Sequence, residues 1–247
     1  MDVKTARRTL DLIETFATVG KPLGVSELAR ALGAPVSSCF GLVRTLEARG
    51  FLYAVSPRRG FYPTKRLLQQ AQAIAARDPI ADHVGPVLAV LRDETGETVL
   101  FGKLQQGQAI YLDIVESRQS IRYTARAGDL KPLHASAMGK ALLASLSDAE
   151  RDRLLDEIEL VPVTPATITD RARLLAHLDE GRRRGWQMTR SENVGDVMAL
   201  AVTVPLGSEP YGIAVAGPVH RMEPALERHA AALQAAREQL ESRRDPP

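Results

Sequence analysis

The sequence contains a single cysteine, Cys39, and no apolar stretch that approaches the length of a membrane span. One cysteine excludes an internal disulfide and a cysteine-rich metal site. A membrane-spanning helix needs about 20 consecutive apolar residues, so we expect no membrane segment. The first five residues, Met-Asp-Val-Lys-Thr, lack the apolar core of a signal peptide. These absences predict a cytoplasmic protein.

The sequence also lacks the residue groupings that catalysis and metal binding require. Its five histidines show no metal-ligand spacing: His83, His134, His177, His220 and His229. A nucleophile elbow of the form Gly-x-Ser-x-Gly is absent. The pair Gly139-Lys140 matches a phosphate-binding loop poorly, because residue 134 is histidine instead of glycine and alanine follows the lysine. We therefore expect no catalytic residues, no metal and no cofactor.

Charge is distributed unevenly, although the 247 residues carry a net charge of only +2. Residues 1–66 hold eleven Lys and Arg against five Asp and Glu, a surplus of +6, so the remainder carries about −4. A basic amino-terminal part attached to a mildly acidic body indicates a nucleic-acid partner for the basic part. Chance clustering of charges on a solvated surface is the alternative.

The hydrophobic pattern of the amino-terminal part predicts a winged helix-turn-helix. A first apolar stripe at helical spacing stops at the glycine–proline segment 20–22. A short second helix starts at the N-cap residue Ser26, and a third starts near Pro35. Two short strands around a turn follow. This order assigns residues 1–65 to a DNA-binding domain, with the helix-turn-helix itself at about 25–46.

The third helix is apolar on one side, so its other side is free to enter a DNA major groove about 12 Å wide. Counting about 100° per residue, that side and its edges carry five candidate DNA contacts: Ser37, Ser38, Phe40, Gly41 and Arg44. Arg58 and Arg59, at the hairpin tip, are placed to bind phosphates or the minor groove. A protein-interaction module is the alternative, but the basic surplus on the same segment favours double-stranded DNA as the partner.

We call residues 1–65 the head. Beyond them, the pattern predicts a linker helix at 66–81 and an effector-binding domain at 82–247, which we call the body. The apolar stripe of the linker helix must be buried against the body or against another copy of itself. Helices are predicted at 83–95, 137–146, 148–157, 170–184 and 223–242, and strands at 97–104, 109–115, 121–124, 198–206 and 211–217. Strands and helices that mix without a regular βαβ alternation predict an α+β fold around a mainly antiparallel sheet.

Six short segments carry a family resemblance through their order and spacing. They are Leu23–Gly33, Thr45–Leu52, Pro132–Leu143, Thr167–Asp170, Arg184–Trp186 and Ala214–Pro218. In these segments the chain resembles the IclR family of bacterial transcriptional regulators. The resemblance implies a sequence-specific DNA-binding regulator with a GAF-like, α/β effector-binding domain. It also implies a homodimer whose heads bind a palindromic operator, and often a dimer-of-dimers tetramer.

Two positions of the third helix depart from the family pattern. Val36 stands where relatives commonly have a basic residue, and Gly41 where they have an arginine. The loss of two cations from the groove-facing surface is expected to alter which bases are read. It is also expected to give Arg44 and the hairpin, which forms the wing of the motif, a larger share of the DNA-binding affinity. DNA binding itself is still expected, because phosphate contacts supply much of the affinity.

A ligand site is expected at 134–139, where a probable strand gives way to a helix through small residues. Unpaired backbone N–H groups at the positive end of a helix dipole can hold a carboxylate; a helix cap at Ser136 with close packing is the structural alternative. The resemblance implies effector binding here, with a facing wall from 191–199 and 214–216. The predicted set is His134, Ala135, Ser136, Ala137, Met138, Gly139, Glu192, Asp196, Met198, Ala199, Ala214 and Ala216.

Three alanines of this set indicate the kind of effector. In relatives, the positions of Ala199, Ala214 and Ala216 often hold Cys or Ser, which hydrogen-bond small oxo-acids. Polar ligand groups buried without partners cost roughly 1–3 kcal/mol each. We therefore expect a larger, more apolar carboxylate, such as an aromatic acid. His134 either pairs with that acid or has a structural role.

Three functions are compatible with these patterns. The leading hypothesis is a transcriptional regulator, repressor or activator, whose affinity for DNA changes when a small carboxylic acid binds. The alternatives are an enzyme that acts on a small acid and has an appended DNA-binding head, and a DNA-binding protein that needs no ligand. The missing catalytic constellation argues against the enzyme.

Overall fold

The computed structural model describes residues 2–56, 59–78 and 81–242. The chain divides into two units, Met1–Asp78 and Pro79–Pro247. None of the helices in the described ranges is long and apolar enough to cross a membrane.

The amino-terminal unit has the predicted winged helix-turn-helix order. It comprises helices α1 (Lys4–Val19), α2 (Val25–Ala31) and α3 (Val36–Ala48), strands β1 (Leu52–Ser56) and β2 (Gly60–Pro63), and helix α4 (Arg66–Ala75). Helix α1 ends at Gly20, which takes up a left-handed conformation with φ 66°. The N–H of Gly24 donates to the Glu27 carboxylate at the start of α2. The core consists of Leu12, Phe16, Leu23, Leu28, Val43 and Leu52.

The β1–β2 hairpin, which is the wing, is hydrogen-bonded through its second strand to the segment just before α2. Strands β1 and β2 pair antiparallel, and the backbones of Leu23 and Phe61 exchange two hydrogen bonds of 3.0 and 2.9 Å. This close approach requires glycine at position 60. Gly60 has a φ of +81°, and a Cβ atom there would lie 2.3 Å from the Leu23 carbonyl oxygen.

The linker helix is shorter than the predicted 66–81. Helix α4 ends at Ala75, and the next helix starts at Ala81. The sequence Asp78-Pro79 accounts for the break, because proline lacks an N–H donor and disfavours helical geometry in the preceding residue. Within the amino-terminal unit, Leu68 and Ile74 of α4 are 55% and 73% exposed.

The carboxy-terminal unit is built on a six-stranded antiparallel sheet in the order β5-β4-β3-β8-β7-β6. Its strands are β3 (Thr98–Gln105), β4 (Gln108–Val115), β5 (Leu130–Pro132), β6 (Gln187–Arg190), β7 (Val197–Leu206) and β8 (Glu209–Pro218). Its helices are α5 (Ala81–Thr95), α6 (Ala137–Ser145), α7 (Asp148–Glu157), α8 (Arg171–Arg184), α9 (Val219–Met222) and α10 (Leu226–Ser242). The predicted α+β fold is confirmed.

Two separate cores cover the two faces of this sheet. Helices α5 and α10 pack on one face, with Leu88, Leu91 and Leu233 in the core. Helices α6 and α8 pack on the other face, where Leu142 and Leu178 are buried. Because successive residues of a strand point to opposite faces, neighbouring residues of β7 and β8 contribute to different cores.

Two glycines of the sheet make room for Met138, at the start of helix α6. A Cβ atom on Gly102 of β3 would lie 2.8 Å from the Met138 sulfur, and one on Gly212 of β8 would lie 2.5 Å from its Cγ. These two glycines are direct partners across the β3–β8 pair. Their shared position therefore sets the distance between the start of α6 and the sheet.

The predicted strand at 121–124 is wrong. This segment is irregular, and its carbonyl groups bind side chains instead of a strand ladder. The Thr98 hydroxyl donates to the Tyr123 carbonyl at 2.6 Å, and the Arg221 guanidinium donates to the Ile121 carbonyl at 2.9 Å. Two short strands form the edges of the sheet. Strand β5 lies where a strand was expected just before residue 134, whereas the sequence pattern did not predict β6.

We predict that Gly60→Ala lowers the free energy of unfolding of the amino-terminal unit by about 3 kcal/mol, from left-handed strain and from displacement of the Leu23 backbone. Gly33→Ala is the matched control: Gly33 has a φ of +54° and open space around it, so only the strain of about 1 kcal/mol applies. Native-state hydrogen exchange measures both losses. Equal losses in the two variants would contradict the proposed contact.

Candidate functional site

The face of α3 that was predicted to contact DNA is open to solvent in the amino-terminal unit. Cys39 and Val43 point into the core. Ser37 and Gly41 are exposed, and Phe40 is 53% exposed. A Cβ atom on Gly41 would meet open space, so glycine is not required there by packing.

Two polar contacts occupy the edges of this face. The Arg8 guanidinium of α1 donates to the Ser38 hydroxyl at 3.0 Å, which leaves Ser38 partly buried. The Arg44 guanidinium pairs with the Glu47 carboxylate at 2.8 Å, while the Arg44 side chain is 62% exposed. Exposed pairs of this kind contribute little stability, so Arg44 is available to an external anion. Arg59 is exposed at the wing, whereas Arg58 lies outside the described residues.

The start of α6 combines a side-chain cap with free backbone donors. The Ser136 hydroxyl accepts from the Gly139 N–H at 3.1 Å and donates to the Pro132 carbonyl at 2.8 Å. The Lys140 N–H donates to the Ser136 carbonyl. Within the described residues, the N–H groups of Ala137 and Met138 have no hydrogen-bond acceptor. They are first-turn donors at the positive end of the helix dipole.

These first-turn residues lie at a small cavity between α6 and the sheet, which we call the effector cavity. Its apolar lining includes Leu100, Val194, Val197, Ala199, Ala214 and Ala216. Its polar lining comprises Tyr111, Tyr123, Ser136, Thr189 and Asn193. The free space is about 20 Å³, enough for the centre of one water molecule. A larger ligand therefore requires the lining to move.

Two tyrosines give the cavity a hydrogen-bonding end. Tyr111 of β4 is 3% exposed and Tyr123 is 8% exposed. Burial, together with the neighbouring Tyr123 phenol, holds the pKa of Tyr111 well above its ordinary value. Tyr111 is therefore a neutral phenol at physiological pH, able to donate or accept a hydrogen bond.

Six of the twelve residues predicted for the effector site line this cavity: Ser136, Ala137, Met138, Ala199, Ala214 and Ala216. The three alanines lie side by side on adjacent strands, because Ala199 pairs with Ala216 across β7 and β8. Their methyl groups form a floor that offers no hydrogen bond, as the sequence indicated.

The other six do not line the cavity, and the structure gives a reason for each of the larger ones. The His134 imidazole contacts the Val161 carbonyl at 2.9 Å, which is a structural role. Met198 belongs to the opposite core, because strand alternation turns it away from Ala199. Asp196 is exposed, and Glu192 is bound to Lys140. The small Ala135 and Gly139 are buried in the turn before α6 and in its first turn.

The Glu192 carboxylate forms a buried ion pair with Lys140 of α6. Both carboxylate oxygens accept from the Lys140 Nζ at 2.7 Å, and the two side chains are 0% and 7% exposed. Burial lowers the pKa of Lys140, and the Glu192 charge opposes that shift. The pair fixes the segment that leads into Asn193 and Val194, two residues of the cavity wall.

Two threonines hold the same segment from the other side. The Thr164 hydroxyl donates to the Ser191 carbonyl at 2.6 Å, and the Thr167 hydroxyl donates to the Glu192 carbonyl at 2.7 Å. Residues 191–192 are therefore bound on both sides, whereas Val194 is 43% exposed. The part of the wall that can yield to a ligand lies beyond this anchor.

Sequence reasoning missed four lining residues: Leu100, Tyr111, Tyr123 and Thr189. Two of them are direct cross-strand neighbours of predicted residues, since Leu100 pairs with Ala214 and Thr189 pairs with Ala199. The sheet register would have identified both. Among the described residues, no group of three or more His, Cys, Asp and Glu side chains could hold a metal ion.

A winged helix-turn-helix joined to an antiparallel α/β unit with an internal cavity is the architecture of a ligand-binding transcriptional regulator. The model of the IclR helix-turn-helix domain matches residues 5–56. The model of the bacterial transcriptional regulator IclR C-terminal domain matches residues 72–242. The chain therefore belongs to the IclR family of DNA-binding transcriptional regulators, which combine these two domains.

Curated relatives agree with this assignment. The HTH-type transcriptional regulator BhcR of Paracoccus denitrificans is 30% identical over 225 residues, which cover 90% of this chain and 80% of that protein. The transcriptional repressor IclR of Escherichia coli K12 is 30% identical over 231 residues, which cover 89% of this chain and 82% of the repressor.

Solved structures share the fold over nearly the whole chain. The Thermotoga maritima IclR structure superposes with a TM-score of 0.82 at 26% identity, covering 97% of this chain and 98% of that one. An IclR homologue from Microbacterium hydrocarbonoxydans, crystallised with 4-hydroxybenzoate, has a TM-score of 0.76 at 21% identity, with 97% and 98% covered.

We predict that Lys140→Met lowers the free energy of unfolding by about 3–5 kcal/mol, because it leaves the Glu192 carboxylate buried and unpaired. The double variant Lys140→Met/Glu192→Met should recover most of this loss, since it removes both charges. Urea unfolding followed by circular dichroism measures the three proteins. A double variant as unstable as the single one would contradict this account of the pair.

Proposed function

We propose that this regulator binds a small carboxylic acid, preferably an aromatic one, in the effector cavity, and that binding changes its affinity for DNA. One observation carries the proposal: three kinds of group line the same cavity. They are the free N–H donors of Ala137 and Met138, the apolar alanines of β7 and β8, and the phenols of two tyrosines. A carboxylate fits the donors through the helix dipole. An aromatic ring fits the floor of alanines better than a small oxo-acid does.

The two ends of the cavity further support a hydroxylated aromatic acid. Tyr111 and Tyr123 supply phenols that can exchange hydrogen bonds with a ring hydroxyl. The Microbacterium homologue was crystallised with 4-hydroxybenzoate, so this fold is compatible with such a ligand. Displacement of Asn193 and Val194 would supply the extra volume that a ring needs.

For the head, we propose that Ser37, Phe40, Gly41 and Arg44 face the major groove, with Ser38 at the edge, and that the wing arginines Arg58 and Arg59 bind the backbone. The homodimer typical of the family would place two heads on a palindromic operator, and the exposed apolar face of α4 suits burial between copies. A dimer of dimers extends the same scheme. The acid acts only if it binds two arrangements of the paired heads with different affinity. Because the relatives are named as regulators, we propose no enzymatic activity.

We predict that 4-hydroxybenzoate and benzoate bind measurably in isothermal titration calorimetry, and that glyoxylate and pyruvate do not compete with them for the effector cavity. Tyr111→Phe should weaken 4-hydroxybenzoate by roughly fivefold, about one hydrogen bond, and leave benzoate unchanged. Tyr211→Phe is the control, because Tyr211 stacks on Phe101 in the opposite core. Tight binding of glyoxylate or pyruvate, with no response to aromatic acids, would overturn the proposed ligand class.

We predict different effects for the two kinds of arginine in the head. Arg44→Ala should cost about 1–3 kcal/mol on an operator recovered by in vitro selection and relax its sequence preference. Arg59→Ala should weaken operator and scrambled DNA alike and reduce the slope of log K against log salt by about 1. Fluorescence anisotropy measures both.

Arg153→Ala provides the control for a lost positive charge, since Arg153 is an exposed residue of α7 in the other unit. Wild-type operator affinity in both the Arg44 and Arg59 variants would show that the contact face is misplaced.

A further inference from the structure

A second pocket lies at the opposite end of α6 from the effector cavity. It is formed by the last turns of α6 and α8, the start of β6, the middle of β7 and one residue of α10; we call it the α8 pocket. Its volume is about 170 Å³, comparable to the engineered cavity of about 150 Å³ in another protein that binds benzene. It shares no lining residue with the effector cavity.

The strongest feature of this pocket is a buried hydrogen-bond acceptor without a donor. Gln187 is 2% exposed. Its Nε2 donates to the Leu178 carbonyl at 2.8 Å, and this fixes the orientation of the amide, because only the nitrogen can donate. The Oε1 atom then has no partner within the described part of the chain. This oxygen is buried away from the free space of the pocket, so a donor reaches it only when the Gln187 side chain or the pocket wall shifts. The free-energy cost of the unpaired acceptor favours such a shift.

Gly181 makes the space in which this amide lies. A Cβ atom at position 181 would lie within 2.1 to 2.2 Å of the Nε2, Cδ and Oε1 atoms of Gln187. Both residues line the α8 pocket. A side chain at position 181 would therefore occupy the space that the Gln187 amide fills in the pocket wall.

The lining of the pocket holds two arginines, Arg182 and Arg237, and no acidic residue. Arg182 is already occupied, because it donates to the Ala144 and Leu146 carbonyls and forms ion pairs with Asp148 at 3.3 Å and Asp179 at 3.6 Å. Arg237 donates through Nε to Glu241 at 2.9 Å, while its terminal nitrogens have no partner among the described residues. Arg237 is therefore the group that can bind an incoming carboxylate.

We propose that the α8 pocket is a second ligand site, for a small carboxylate with an O–H or N–H donor on the adjacent carbon. The donor group binds the Gln187 Oε1, the carboxylate binds Arg237, and a short apolar side chain packs on Ala141 and Ala201. Hydroxy acids and amino acids share this chemistry. Neither the family models nor the proposed aromatic effector accounts for these groups.

The test uses Trp186, which is the only tryptophan of the chain and lines the pocket. Lactate and alanine are titrated into the full chain while tryptophan fluorescence is followed, with propionate and lactamide as matched probes. Propionate lacks the donor and lactamide lacks the charge. We expect a saturable change with lactate or alanine, and roughly fivefold to tenfold weaker binding of both matched probes.

Variants then locate the bound ligand. Arg237→Gln should weaken lactate or alanine binding at least fivefold, whereas Arg183→Gln, at an exposed position outside the pocket, should not. Gln187→Met should remove the preference for lactate over propionate. Because Arg237 is on the surface, its variant stays informative even if Gln187→Met fails to fold.

Three results would overturn the proposal. The first is the absence of a saturable change with both lactate and alanine. The second is equal affinity for lactate and propionate, which would mean that water satisfies Gln187. The third is binding that is lost in Tyr111→Phe and kept in Arg237→Gln, which would place the ligand in the effector cavity. Since Tyr111→Phe leaves the α8 pocket unchanged, failure of either site is distinguishable from failure of the other.

Discussion

The close packing of α6 against the sheet is the constraint on which the rest of the carboxy-terminal unit depends. Gly102 and Gly212 leave the space that Met138 fills, and Gly139 allows the first turn to lie against the Leu133 backbone, 2.4 Å from where a Cβ would be. Together they hold the free N–H groups of the first turn above the alanines of β7 and β8. The effector cavity follows from this packing and not from a separate structural element.

Polar groups then decide which parts of the site are fixed and which can move. The Lys140–Glu192 pair, satisfied on both carboxylate oxygens, anchors the wall just before Asn193. A buried pair of this kind contributes more to a unique arrangement than to net stability. Beyond the anchor, the Val194 side chain is exposed, and among the described side chains none anchors it in the way that Lys140 anchors Glu192. In the head, the exposed Arg44–Glu47 pair is weak, so the Arg44 guanidinium can exchange its partner for an external anion.

The sequence predicted the features that depend on local pattern and failed where distant strands meet. Helix periodicity and turn residues located the helix-turn-helix and helices α6 to α8 well. The edge strand β6 was missed, because four residues carry too little alternation to be recognised. Ser136, expected from the helix entry at 134–139, and the three alanines, expected from the family resemblance, line the effector cavity. Tyr111 and Thr189 were not, since only the sheet register brings them beside those residues. His134 and Glu192 were misplaced because their burial partners, Val161 and Lys140, cannot be read from spacing.

The most direct test of the central claim is the NMR signal of the Ala137 and Met138 amides in the ¹⁵N-labelled, deuterated protein. Saturating 4-hydroxybenzoate is added, and the proton shifts of these amides are compared with those of the capped Gly139. We expect large downfield shifts for Ala137 and Met138, because a carboxylate accepts from both N–H groups. Binding that is detected by calorimetry but leaves both amides unshifted would show that the acid does not sit at the start of α6.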